Sequence, residues 1–197
     1  MGRPHRICFP GAIFHVTSKG DNDQPIFIDD SDRQDFLQIL WKYKREYKFS
    51  LHSLTLMLTH IHDVIQVNNE DTISEIMHDI NSTYSKRFNW KHSKTGHLFK
   101  DRFHAKLIQD DKYFLQATQY DHLNPVKAGI VKNAEDYYWS SYRAYLKMDS
   151  CMAPFIDTEK VLSLVSDNKA EQVRLYKNII STTTMETLGK LKKELGC

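Results

Sequence analysis

The chain has 197 residues, of which 41% are apolar and 26% are charged. This balance fits one globular domain, with or without a short appendage, and excludes a disordered, collagen-like or fibrous chain. Lys and Arg number 27 against 25 Asp and Glu, and the resulting net charge of +2 argues against a uniformly basic protein that coats DNA.

The apolar pattern predicts elements in the order strand, helix, strand, strand, helix, strand, helix. They are a strand over 12–18, a helix over 32–47, a β-rich run over 49–67 with two strands or one strand and a turn, a helix over 71–90, a strand over 103–109 and a helix opened by Asp110 and Asp111. Pro125 is expected to stop the last helix, because proline lacks a backbone N–H. This order predicts an α+β fold with helices on one face of an antiparallel sheet, as in split βαβ folds.

The composition changes at about residue 147, where the chain becomes more polar and its core signal weakens. We therefore predict a domain over 1–146 followed by a helical C-terminal extension over 147–197. The three cysteines, Cys8, Cys151 and Cys197, are far apart and predict neither a disulfide framework nor a thiolate zinc site. No segment resembles a signal peptide or a membrane span, so we expect a cytoplasmic protein without membrane contact.

Basic residues are concentrated between 81 and 108, where seven Lys or Arg face a single acidic residue. Aromatic residues are interleaved with them. Basic groups neutralise phosphates and aromatic faces stack on unpaired bases, so the segment is a candidate DNA-binding surface. The alternative is a solvated helix face with ordinary core aromatics.

Two histidines, His60 and His62, lie two residues apart in the β-rich run. Alternate residues of a strand share a face, so both imidazoles would lie side by side. Neutral imidazole binds Mn²⁺ or Zn²⁺, and together with oxygen ligands it can hold Mg²⁺. The alternative is a pair of surface or hydrogen-bonded histidines.

Tyr120 and Asn124 lie four residues apart in the last predicted helix and would meet on one face. A tyrosine hydroxyl can attack a phosphodiester when a metal polarises the phosphate, and the Asn124 carbonyl oxygen could be a third metal ligand. The alternative is that Tyr120 packs in the core and Asn124 only ends a helix.

Taken together, five segments of the chain resemble the REP-associated tyrosine transposases, within the single-tyrosine HUH transposase superfamily of insertion sequences. The segments are PGAIFHVTSKGDNDQPIF (10–27), LHSLTLMLTHIHDVIQV (51–67), TGHLFKDRF (95–103), QYDHLNPVKAGIV (119–131) and YYWSSYRAY (137–145). The resemblance covers about residues 7–145, and several independent motifs stand in the order and spacing of the family.

The resemblance implies a ferredoxin-like antiparallel sheet with His60 and His62 on a central strand as metal ligands. It also implies that Tyr120 is the nucleophile, with Asn124 four residues later, and that the divalent metal is Mg²⁺ or Mn²⁺. The implied reaction is transesterification of single-stranded DNA, which leaves a 5′-phosphotyrosine and a free 3′-OH. The implied substrate is a REP-type DNA hairpin with its flanking bases, which would associate the protein with the nucleoid.

The chain departs from the family pattern at several positions. Leu58-Thr59 stands where Pro-Asn is usual, Asp63 follows the second histidine, Asp23 replaces an arginine of the turn after the first strand, and Lys100-Asp101 replaces Gln-Gly. These changes leave the catalytic set intact, but they bear on DNA affinity and sequence preference.

Candidate DNA contacts are basic residues of the 81–108 segment and its neighbouring family motif. They are Lys86, Arg87, Lys91, His97, Lys100, Arg102 and Lys106. Among them, His97 and Arg102 lie in the family-like segment 95–103 and are the stronger candidates. His15 and His52 also lie in matching segments, and we interpret them as residues that support the fold or the metal ligands.

Three functions follow from these features. The first is an active single-strand DNA endonuclease and strand transferase. The second is a domesticated protein that binds DNA hairpins without cutting them. The third is an unrelated metal phosphodiesterase in which His60 and His62 activate water. Both a monomer and a homodimer are compatible with the sequence.

Overall fold

The computed structural model describes residues 8–195 and contains one four-stranded antiparallel sheet. Its strands are β1 (Ile13–Lys19), β2 (Ser50–Leu56), β3 (His60–Gln66) and β4 (His104–Ile108). They lie in the order β2-β3-β1-β4, and every neighbouring pair is antiparallel. This order confirms the ferredoxin-like α+β fold, since one βαβ unit is split by the strand of another.

Seven α-helices accompany the sheet in the described part of the chain. They are α1 (Asp30–Tyr47), α2 (Ile73–Lys91), α3 (Asp111–Lys127), α4 (Tyr142–Tyr145), α5 (Glu159–Ser163), α6 (Lys169–Thr182) and α7 (Met185–Leu195). Capping boxes fix where the first two begin: Asp29 with Asp32 at α1, and Thr72 with Glu75 at α2. Within residues 8–195, no helix is both long enough and apolar enough to cross a membrane.

Helices cover both faces of the sheet. Phe14, Val16 and Ile61 belong to the same core as α1 and α2, which agrees with the expected placement of helices on one face. The alternate strand residues, such as Val64, face α3 on the opposite side. In addition, α3 with the C-terminal helices covers the second face, so β1 and β3 are buried on both sides.

Pro125 does not stop α3, which continues to Lys127, so this prediction is wrong. Pro125 has no N–H to donate to the carbonyl of Asp121, four residues earlier. The hydroxyl of Thr55, on β2, donates to that carbonyl instead at 2.9 Å. The helix tolerates proline because the sheet supplies the missing hydrogen bond.

The predicted C-terminal helical extension is present as α5, α6 and α7. Apolar residues of all three helices share a core with α3, and Tyr176 of α6 is hydrogen-bonded to His122 of α3 at 2.8 Å. The boundary after residue 146 stays a prediction. The start of the predicted domain, 1–7, and the end of the predicted extension, 196–197, lie outside the described residues. Cys8 and Cys151 are free thiols, whereas Cys197 lies outside that range.

Candidate active site

A cavity of about 340 Å³ opens at the end of the sheet where β1 ends and β3 begins. Its lining comes from the sheet, α3 and α7. The lining residues are Lys19, Asp23, Met57, Thr59, His60, His62, Tyr120, Asn124, Lys127, Ala128 and Lys192. All four residues predicted to carry the chemistry, His60, His62, Tyr120 and Asn124, therefore line the same cavity.

His60 and His62 lie on the α3 side of β3, as their alternation predicts, with ring centroids 5.0 Å apart. Burial lowers the pKa of His60 to about 4, and the positive charge of Lys19 adds to this effect. Burial also lowers the pKa of His62 well below its ordinary value, with His15 as the next cause. Both imidazoles are therefore neutral near pH 7, which is the form that binds metal ions.

A buried polar network contacts the Nδ1 atom of His62. Its Nδ1 lies 3.2 Å from the Thr17 hydroxyl and 4.0 Å from Oδ1 of Asp121. The same carboxylate oxygen lies 2.9 Å from Nε2 of His15, and the Ser53 hydroxyl donates to the other oxygen. Because Nδ1 is used in this way, Nε2 is the nitrogen of His62 that remains for a ligand.

His15, His62 and Asp121 form a second group that could hold a metal ion, with ligand atoms within 4.8 Å of one another. All three are buried, and they line the interface between the sheet and α3. The position of His15 agrees with the supporting role expected for it. Asp121 is not among the residues that the sequence predicts for the site, although it comes directly after Tyr120 in a matching motif.

Tyr120 and Asn124 lie one turn apart on α3. The Tyr120 ring meets His62 edge to face, with centroids 5.5 Å apart, and the ammonium of Lys127 lies 5.0 Å from its centroid. Asn124 is 7% exposed, and within residues 8–195 its amide nitrogen is buried without a hydrogen-bond partner. A buried N–H donor without a partner costs about 1–3 kcal/mol, and an acceptor atom of a bound ligand would satisfy it.

Three lysines and one aspartate give the cavity lining its charge. The lysines are Lys19 at the end of β1, Lys127 at the end of α3 and Lys192 on α7, and the acidic residue is Asp23. None of these lysines was predicted as a site residue. Lys19 and Lys127 lie inside matching motifs, but nothing in the sequence places Lys192 here, because its position depends on how α7 packs.

The predicted DNA contacts lie outside this cavity. His97, Lys100 and Arg102 line a larger groove of about 740 Å³ between α2 and the segment 96–103. Phe99 and Phe103 line the same groove, so basic and aromatic side chains are interleaved there as expected. Their role as DNA contacts stays a prediction.

The other predicted DNA contacts differ in their surroundings. Lys86 is exposed on α2. Arg87 contacts the Asp35 carboxylate at 2.6 Å, and Lys91 contacts that of Asp32 at 2.7 Å, so both tie α2 to α1. Lys106 donates to a backbone carbonyl of α7. Arg87, Lys91 and Lys106 therefore also connect elements of the fold, and their predicted DNA contacts stay a prediction.

Comparisons with known proteins identify the family. Residues 9–122, more than half of the chain, match the family described as "Transposase IS200 like". A solved REP-associated tyrosine transposase bound to a REP hairpin is similar, with 20% identity and a TM-score of 0.64 over 75% of this chain and 86% of that one. A second structure, reported as a transposase from Deinococcus radiodurans R1, shares 13% identity at a TM-score of 0.44, over 60% of this chain and 95% of that one.

No curated protein sequence matches the chain. The likeness to the REP-associated tyrosine transposase extends to most of both chains and shows a common fold. The family match spans all four strands, the helices α1 and α2, and the part of α3 that carries the nucleophile candidate Tyr120. The chain belongs to the family of IS200-like transposases.

Proposed function

We propose that the protein is a metal-dependent single-stranded DNA endonuclease and strand transferase that acts on REP-type hairpins. The observation that supports this proposal most directly is that Tyr120, His60, His62 and Asn124 line one cavity. The substrate class is supported by the similar solved transposase, which is bound to a REP hairpin. Chromosomal hairpins as substrate would place the protein in the cytoplasm, associated with the nucleoid.

The residues around the cavity fit a divalent metal ion. Two neutral imidazoles and the side-chain oxygen of Asn124 provide nitrogen and oxygen donors at the same cavity. The group of His15, His62 and Asp121 fits less well, because both Asp121 oxygens already accept hydrogen bonds and, of these three residues, His62 alone lines the cavity that a phosphate would enter. A Mg²⁺ or Mn²⁺ ion held by His60, His62 and Asn124 would polarise a phosphoryl oxygen and offset the charge that develops there.

Tyr120 is the nucleophile of the proposed reaction. Its phenolic oxygen loses its proton and forms a bond to the phosphorus of a phosphodiester. The bond from phosphorus to the 3′ oxygen breaks, and that oxygen takes up a proton to become a free 3′-OH. The reverse attack by a 3′-OH on the phosphotyrosine rejoins DNA, so strand transfer needs no external energy source.

The experiment that tests this function is a covalent adduct assay. The protein is incubated with REP-type hairpins in Mg²⁺ or Mn²⁺ and then separated under denaturing conditions. We expect a protein–DNA adduct with wild type and none with Tyr120→Phe, which retains the ring but lacks the attacking oxygen. An adduct that persists in Tyr120→Phe would refute the assignment of the nucleophile.

A second candidate function is hairpin binding without cleavage, and one observation favours it. Asp23, which stands where the family usually has an arginine, lines the cavity itself. A negative charge there opposes an incoming phosphate. Hairpin binding without an adduct under any metal condition would support this function. Cleavage without an adduct, unaffected by loss of Tyr120, would instead indicate a phosphodiesterase that activates water.

A further inference from the structure

The C-terminal helix α7 has a fixed position on α3. Its apolar side consists of three buried leucines at helical spacing, Leu188, Leu191 and Leu195. Near its end, the Glu194 carbonyl accepts a hydrogen bond from the Tyr113 hydroxyl at 3.0 Å and another from Lys106. Apolar packing and these polar contacts together determine which side of α7 faces the cavity.

Lys192 is the residue of α7 that reaches the cavity. It lines the same space as Tyr120, His60 and Asn124, although it lies far from them in the sequence. The C-terminal extension therefore places a positive charge at the candidate active site.

Lys192 differs from its neighbours on α7. Lys190 forms an ion pair with Glu186 at 2.8 Å, and Lys193 does not line the cavity. Within residues 8–195, no acidic side chain forms an ion pair with Lys192. Its ammonium is therefore available to an anion that enters the cavity.

The charge of the cavity favours a phosphate as that anion. Lys19, Lys127 and Lys192 come from three different elements, and Asp23 is the acidic residue among the lining side chains. Single-stranded DNA carries one negative charge per nucleotide, and lysines that neutralise its phosphates release bound counterions.

We propose that Lys192 binds a phosphate of the DNA strand that enters the cavity, so that the C-terminal helix is part of the substrate-binding site. This inference rests on the proposed function, since it takes single-stranded DNA as the ligand. It assigns to the extension a role in substrate binding beyond its packing on α3.

The test measures DNA binding in the Tyr120→Phe background, so that cleavage does not interfere. The probe is a fluorescein-labelled DNA hairpin with oligothymidylate flanks, titrated at several salt concentrations. Lys192→Ala is expected to weaken binding severalfold and to reduce the slope of log affinity against log salt by about 0.7, the effect of one phosphate contact on a single strand. Lys193→Ala, the same change one residue away on an exposed site, is expected to leave the slope unchanged. Lys192→Arg keeps the positive charge and is expected to have the same slope as the protein with Lys192.

Equal slopes for Lys192→Ala and Lys193→Ala would overturn the inference, provided that thermal melts show both variants folded. Tighter binding by Lys192→Ala would also overturn it, because Lys192 would then obstruct the cavity. If wild type binds the hairpin but forms no adduct, the proposed cleavage fails while the slopes still decide the role of Lys192. If wild type does not bind the hairpin, the proposed function fails and this inference fails with it.

Discussion

Asp121 links α3, which carries Tyr120, to β3, which carries His60 and His62. It is fully buried and its carboxylate contacts His15 and Ser53, while His62 lies 4.0 Å away. Carboxylates behind a metal-binding histidine fix the orientation and tautomer of its ring. We therefore expect Asp121 to position His62 through this network.

Replacing Asp121 by Asn keeps the shape of the side chain and removes its charge. We expect Asp121→Asn to weaken Mn²⁺ binding about 10- to 100-fold, because the orientation of His62 is less well held. Isothermal titration calorimetry measures this affinity. Asp111→Asn, an exposed change in the first turn of the same helix, is the control. Unchanged Mn²⁺ affinity in folded Asp121→Asn would contradict the positioning role.

Asp23 is the departure from the family pattern with the clearest expected effect. It lines the cavity and has a φ of +55°, a left-handed conformation that Asn also tolerates. Asp23→Asn removes one negative charge, so we expect hairpin affinity to rise by up to about fivefold, or about 1 kcal/mol. Asp21→Asn, in the same turn but outside the cavity lining, is expected to have a smaller effect in the same fluorescence titration. An equal gain from both changes would indicate a general charge effect.

At the scale of elements, short-range patterns predict the strands and helices of the core well. The sequence predicts β1 and a β-rich run over 49–67, which the structure divides into β2 and β3, and a helix over 32–47, which begins two residues earlier as α1. The end of α3 could not be predicted, because the Thr55 hydroxyl that replaces the missing hydrogen bond comes from a residue 66 positions away. The helices on the second face depend on the same kind of long-range packing.

Thr55 supports α3 at Asp121, the residue next to Tyr120. Thr55→Val removes the donor to the Asp121 carbonyl and leaves that group buried without it. We expect the free energy of unfolding to fall by about 1–3 kcal/mol, measured by urea denaturation. Thr55→Ser keeps the hydroxyl, so its free energy of unfolding is expected to fall by less than that of Thr55→Val. Equal stability of the Thr55→Val and Thr55→Ser variants would show that the hydrogen bond does not support α3.

His52 of β2 gives a pH-dependent contribution to stability. It contacts the Asp157 carbonyl in the C-terminal extension at 3.0 Å, and burial lowers its pKa below the ordinary value of 6.5. The unfolded chain therefore binds a proton more readily than the folded one, and stability decreases as the pH falls below about 6.5. His52→Gln is expected to flatten this decrease in urea unfolding, which for one group is at most about 1.4 kcal/mol per pH unit. An unchanged pH profile would contradict the assignment.

At the scale of the whole molecule, Tyr120 and His62 of one chain lie next to each other in the cavity. Tyr120 meets His62 of the same chain with ring centroids 5.5 Å apart. The spacing of the motifs indicated a metal pair and a nucleophile, but not that the loop with Asp23 or the C-terminal helix with Lys192 would line the same space. Those two contributions come from tertiary packing, which short-range patterns do not contain.

A site formed within one chain has a testable consequence. Tyr120→Phe and His62→Ala are each expected to lose adduct formation, and mixing the two variants is expected not to restore it. If two chains shared their active sites, a mixed dimer would contain one intact site and the adduct would return. Denaturing gels of the separate and mixed variants measure this outcome.

The central claim is that Tyr120 becomes joined to the 5′ phosphate at the cleavage site. The most direct measurement uses one hairpin strand with different labels at its two ends, incubated with protein and metal. We predict that the label on the 3′ side of the cut stays with the protein, and that the other fragment is released with a free 3′-OH. A covalent bond to the 5′-side fragment, or cleavage with both fragments free of protein, would contradict the account.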